Sequence, residues 1–152
     1  MLFPGATHAG KSSLVAELLR RGATYFSDEY ALVDSEGLVH PYPRPLLMRD
    51  GRPEQTPALA ADYNASVGKD PAHVGWILSL RYQPQAHWNL TAVSQSSALL
   101  LLLQNTPHKL QESPEMLGAF RTLVSKADCF AGTRNDAVEA AEEILRLVDS
   151  VS

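Results

Sequence analysis

The sequence predicts an α/β domain with a central mixed sheet flanked by helices, and three observations lead to that expectation. Apolar stretches of strand length, Trp76 to Tyr82 and Trp88 to Val93, stand among stretches whose apolar residues recur at helical spacing. A glycine-containing loop, Gly5 to Ser12, opens directly onto the first of the helical stretches. The 152 residues, 45% of them hydrophobic, suffice for one packed core and would be crowded as two, so residues 1–152 are read as a single domain.

The loop reads Gly5-Ala6-Thr7-His8-Ala9-Gly10-Lys11-Ser12 and fits the phosphate-binding pattern G-x-x-x-x-G-K-[ST]. Glycines let the backbone curl so that successive N–H groups point inward. The helix that follows presents its unpaired first-turn N–H groups and the positive end of its dipole to the same anion. Residues 5–13 are therefore the expected nucleotide-binding set, with Ser13 in the first turn. Lys11 adds a mobile charge for the outer phosphates, and the Ser12 hydroxyl is a hard oxygen ligand of the kind Mg2+ accepts. His8 would use its backbone, its ring pointing outward. Leu14, Val15, Leu18 and Leu19 recur at helical spacing, Arg20 and Arg21 suit the helix's negative end, and Gly22 caps it. Only Met1-Leu2-Phe3 precedes Pro4 as a feeding strand, which predicts an edge completed by another copy of the chain, another protein, or residues upstream.

After the helix, Ala23 to Ser27 reads as a strand beside the one that feeds the loop, ending at Asp28-Glu29. Tyr30 to Asp34 and Leu38 to His40 flank the turn Ser35-Glu36-Gly37, a hairpin signal. Pro41-Tyr42-Pro43-Arg44-Pro45 excludes helix and makes a stiff, extended connector. Residues 49–73 lose periodicity and read as a long loop or lid, with a short helix near Ala58 to Tyr63. Ser94 caps a helix through Asn105. Ser113 opens another, with Met116, Leu117, Phe120, Leu123 and Val124 on one face. A brief strand from Asp128 to Ala131 leads to Asn135, the expected cap of a last helix whose buried stripe is Ala137, Val138, Ala141, Ile144, Leu145 and Val148.

Composition removes several functions. A net charge of −4 without blocks of like charge gives no reason to propose nucleic acid or an acidic membrane as partner. The single cysteine, Cys129, excludes an internal disulfide and a multi-cysteine metal site, and points to a reducing cytoplasm. The leucine run Leu99 to Leu103 is too short to span a bilayer and reads as the buried part of a helix. His40, His73, His87 and His108 lack metal-ligand spacing.

A phosphate loop needs a second acidic element, and Asp28-Glu29 lies where a helix and one returning strand would bring it back. Two adjacent acids can divide the work, one ligating the metal and the other accepting a hydroxyl proton. Arg44 reads equally well as a phosphate contact and as an exposed structural residue. Gly5 to Ser12, the helix ending Arg20-Arg21-Gly22, the strand into Ser27-Asp28-Glu29, and Gly37 to Leu46 together resemble the HPr serine kinase/phosphorylase superfamily, above all its smaller relatives. The resemblance covers roughly residues 5 to 48.

That resemblance implies a P-loop nucleotide-binding domain of the type shared with ATP-dependent phosphoenolpyruvate carboxykinase, using ATP and Mg2+. By position, Lys11 contacts phosphate, Ser12 and Asp28 hold the metal, and Asp28, Glu29 and Lys11 form the catalytic set. The expected activity is transfer of phosphate to a hydroxyl, serine first, on a small protein, peptide or metabolite. The alternative is a nucleotide-binding regulatory or assembly module without turnover. The sequence departs from the family in having Glu29 where a second aspartate is usual, in carrying Thr7-His8-Ala9 where a glycine is common, and in lacking the glycine-rich signature of the full-length enzymes. No N-K-x-D-like guanine-reading element is present, which argues against a GTPase.

Overall fold

The computed structural model describes residues 1–6, 9–49, 54–111 and 113–151. It is a mixed α/β structure with small sheets and, among the described residues, four α-helices. The largest sheet has three strands in the order β5 (Trp76–Tyr82), β7 (Asp128–Arg134), β6 (Asn89–Ala92). β5 and β7 run parallel, with Ile77 opposite Cys129, and β6 runs antiparallel to β7, with Leu90 opposite Gly132.

Side chains on a strand alternate between its two faces, and here the alternation sorts the helices into layers. Ile77 and Cys129 point to one face, against α2 (Gln95–Gln104) and α3 (Pro114–Ser125), in a cluster with Ala98, Leu102, Phe120, Leu123 and Val124. Leu78 and Leu80 point to the other, against Leu14 and Leu18 of α1 (Lys11–Arg20) and Ala140, Ala141 and Ile144 of α4 (Ala137–Val151). Arg21 reinforces that second layer, meeting Glu17 within its own helix and Glu142 of α4 at 3.6 Å. The opposite side of α1 is covered by a third cluster, Ala16, Leu19, Tyr25, Leu46 and Ala60. α1 is therefore clamped on both sides, and its N-terminus is fixed relative to the sheet.

Two hairpins cover the region between α1 and β5. β1 (Leu32–Val33) and β2 (Val39–His40) pair around the expected turn, where Asp34 Oδ1 accepts from the Glu36 and Leu38 N–H groups. The proline-rich connector is not extended throughout: it forms neither helix nor strand and turns at Pro43, where the Arg44 N–H donates to the Tyr42 carbonyl at 2.8 Å, and it is tied down by the Tyr25 hydroxyl, which donates to the Arg44 carbonyl at 2.6 Å. β3 (Leu46–Met48) follows and pairs with β4 (Thr56–Ala58). Part of the expected long loop thus has structure of its own: β4, a 3-10 helix at Ala60–Tyr63, and single bridges from Val67 to Tyr25 and from Ala72 to Val39. Residues 50–53 of that segment lie outside the described residues.

Four further expectations need correction. Ala23 to Ser27 does not pair with the segment that feeds the loop: Leu2 bridges Ile77 of β5 in parallel, and Tyr25 turns instead to Val67. The last strand continues past Ala131 to Arg134. Its helix is capped by Asp136, whose Oδ1 accepts from the Glu139 N–H at 2.8 Å, while Asn135 Oδ1 accepts from the Gln85 N–H. Finally, the apolar runs are less buried than their composition suggests. Leu100 is 59% exposed on α2, and Leu117 and Val138 are also exposed, whereas Ala140 joins the buried stripe of α4. Among the described residues, no helix is long and apolar enough to cross a membrane.

Gly132 shows why the last strand can run to its full length. A Cβ there would lie 1.8 Å from the Asn89 carbonyl oxygen, so β6 approaches β7 only because the position is bare. Gly132→Ala should cost about 2 kcal/mol or more of stability, because β6 must shift or detach. Chemical denaturation measures it, and an unchanged midpoint would refute the close approach.

Candidate functional site

Gly10 stands at the N-cap of α1 with φ +71°, in the left-handed region that glycine adopts without strain. No side chain caps this helix, and its first turn carries no acidic residue. Leu14 is the first residue of α1 whose N–H returns to the loop, at 3.3 Å from the Gly10 carbonyl. The earlier N–H groups of Lys11, Ser12 and Ser13 form no hydrogen bond among the described residues, which leaves the positive end of the helix open to an anion.

Four side chains meet at this end, those of Lys11, Ser12, Asp28 and Arg134. Lys11 reaches back across the loop, its Nζ donating to the Gly5 and Ala6 carbonyls at 2.7 Å each. Burial holds its proton affinity below the ordinary lysine value, partly offset by the charge of Asp28. Ser12 Oγ donates to Asp28 Oδ2 at 2.8 Å, joining the first turn of α1 to the acid sixteen positions further along. The other oxygen of that carboxylate, Oδ1, is buried and has no partner among the described residues. Burial raises the Asp28 carboxyl above the usual range, and the nearby Glu29 charge adds to this, against the Ser12 hydrogen bond and Lys11. Tyr25 lies close enough to feel Asp28: its phenol is pushed up to about 12 by burial and by that negative charge.

The fourth side chain is that of Arg134, which sequence reasoning missed. It is the buried charged residue of the described chain, 3% exposed, at the end of β7. Its Nη2 donates to the carbonyls of Ala9 and Gly10 at 3.1 and 2.9 Å, its Nη1 to the Asn135 carbonyl at 3.0 Å, and its guanidinium lies 5.3 Å from the centre of the Tyr82 ring. It forms no ion pair with a carboxylate among the described residues; burial lowers its proton affinity, against the longer-range pull of Tyr82 and Asp136. It also explains Gly10 a second time, because a Cβ there would meet Nη2 at 2.5 Å.

The expected residues are distributed as follows. Gly5, Ala6, Ala9, Gly10, Lys11, Ser12 and Ser13 occupy the loop and first helical turn, and Asp28 faces Ser12. Thr7 and His8 lie outside the described residues. Glu29 is not brought to Ser12. More than half exposed, it stands 3.9 Å from Arg44, which is equally exposed. The signal that could have revealed Arg134 is an arginine between a strand and the Asn135-Asp136 helix start, a position level with the loop in a parallel sheet.

Compared with known protein families, with curated proteins and with solved structures, the chain matches none.

Two outcomes test the geometry. Arg134→Ala should destabilise the fold by about 3 kcal/mol, since it strips three carbonyls of a charged donor and opens a cavity, and Arg134→Lys should restore only part of that. Asp28→Asn should raise stability by about 1 kcal/mol, because it removes the buried, half-satisfied charge. Thermal unfolding reads both, and a destabilised Asp28→Asn would show that the carboxylate is well accommodated.

Proposed function

We propose that this chain is an ATP-dependent phosphotransferase that moves phosphate to a hydroxyl, serine first, as the resemblance to HPr kinase implies. The observation that supports it most directly is the Ser12 to Asp28 contact, a hydroxyl and a carboxylate 2.8 Å apart at the open end of α1, with Asp28 Oδ1 buried and unpaired. A buried acceptor without a donor is costly, and such groups persist where a ligand uses them.

A magnesium ion fits this donor set. It takes hard oxygen ligands, usually one or two from the protein and the rest from phosphate and water. Ser12 Oγ and Asp28 supply two such oxygens. When bound, Mg2+ would neutralise charge on the phosphates. The chain's own residues do the remainder. The free N–H groups of the first turn and the Arg134 charge behind the loop bind and orient the polyphosphate. Lys11 exchanges its two carbonyls for phosphate oxygens. Asp28 accepts the acceptor's hydroxyl proton as the new O–P bond forms and the bond between the outer phosphorus and the leaving ADP oxygen breaks.

The alternative of nucleotide binding without turnover draws on Glu29, which stands off toward Arg44 and leaves one carboxylate at Ser12 instead of two. Asp28→Asn separates the readings. Transfer from labelled ATP to serine-containing acceptors should fall about 100-fold or more while nucleotide affinity stays within a few-fold. Lys11→Ala should weaken nucleotide binding by about tenfold or more in calorimetry. Undiminished transfer in Asp28→Asn would remove the proposed base, and unaltered affinity in Lys11→Ala would remove the loop.

A further inference from the structure

A cavity of about 780 Å3 opens beside Asp28 and Lys11. Its size falls within the range of small-molecule sites, roughly 300 to 1,000 Å3. Much of the lining is apolar: Leu32 and Val33 from β1, Leu102 from α2, Leu110, and Met116 and Phe120 from α3. Leu32 and Leu110 are large, exposed hydrophobic residues, 45% and 52% accessible. Exposed apolar side chains gathered around one concavity, rather than scattered singly, mark a binding surface. The charged side chains on the lining are unbalanced, since Asp28, Glu29, Asp34 and Glu115 are acidic and Lys11 alone is basic. Lys11 is in turn engaged with the loop carbonyls.

We propose that this cavity is the acceptor site and that it takes a small amphiphile, a hydroxyl group borne on an apolar body that is neutral or cationic. The inference rests on the phosphotransfer reading for the role of the hydroxyl. The apolar wall and the acidic excess are independent of that reading. The apolar body lies against Leu102, Met116 and Phe120, which directs the hydroxyl toward Asp28 at the cavity's polar end. An anionic acceptor would meet an acidic lining: Glu29 and Asp34 have basic partners in Arg44 at 3.9 Å and His40 at 2.7 Å, whereas Glu115 and Asp28 form no ion pair among the described residues.

Three probes carrying the same serine hydroxyl test the proposal: decanoyl-serinamide, acetyl-serinamide and decanoyl-serine with its free carboxylate. Binding to the full chain with ADP and Mg2+ is measured by calorimetry below the probes' micelle concentrations, and transfer from labelled ATP is measured in parallel. Decanoyl-serinamide should bind about 100-fold more tightly than acetyl-serinamide and about tenfold more tightly than decanoyl-serine. Met116→Gln and Leu32→Gln should each reduce decanoyl-serinamide binding about fivefold or more, with circular dichroism confirming an intact fold. Equal binding of the long and short amides, or tighter binding of the carboxylate, overturns the inference even where transfer occurs. Tail-dependent, Met116-dependent binding without transfer supports the cavity assignment and counts against the kinase reading alone. The probe series on the unaltered chain decides the matter if either variant fails to fold.

Discussion

The site depends on a buried guanidinium bonded to the two carbonyls that precede α1. A charge removed from water is costly unless its donors are satisfied, and Arg134 satisfies them mainly with backbone oxygens and without a neutralising carboxylate. The loop is held from behind at Ala9 and Gly10, and Gly10 is kept free of a side chain. Loop shape and helix start therefore follow from one side chain whose place is set by the parallel pairing of β7 with β5.

The two sides of the helix terminus differ. On the Arg134 side the Ala9 and Gly10 carbonyls have donors, and the guanidinium has acceptors and an aromatic face. On the Asp28 side one carboxylate oxygen is bonded and the other is stranded. A fold built for stability alone would not leave an acid half-paired next to a serine hydroxyl, and such departures from local consistency concentrate where a protein acts. The rigid half holds the loop and the frustrated half lines the cavity.

Much of this was legible in the amino-acid order, and the misses have physical causes. Helix α1, the hairpin around Ser35 to Gly37, strand β5, and the caps at Ser94 and Ser113 are local features, each announced by periodicity or by a residue with one strong backbone preference. The meeting of Ser12 with Asp28 was legible because a helix and a short return constrain distance. Arg134 was hidden because Gly132 reads as the end of a strand, whereas the glycine is there to admit the Asn89 carbonyl and the strand runs on. Ala23 to Ser27 has strand composition, yet its partner is chosen by distant segments, and no local signal separates pairing with Leu2 from a bridge to Val67. Leucine at position 100 is exposed because a helix turns a run of five leucines through all its faces.

The ammonium of Lys11, folded back onto Gly5 and Ala6, acts as a placeholder. It already occupies oxygens of its own chain, so an incoming anion displaces an internal occupant rather than filling a vacancy. The strength of any such capture is the difference between two contact sets, which moderates tightness and makes departure as easy to arrange as arrival.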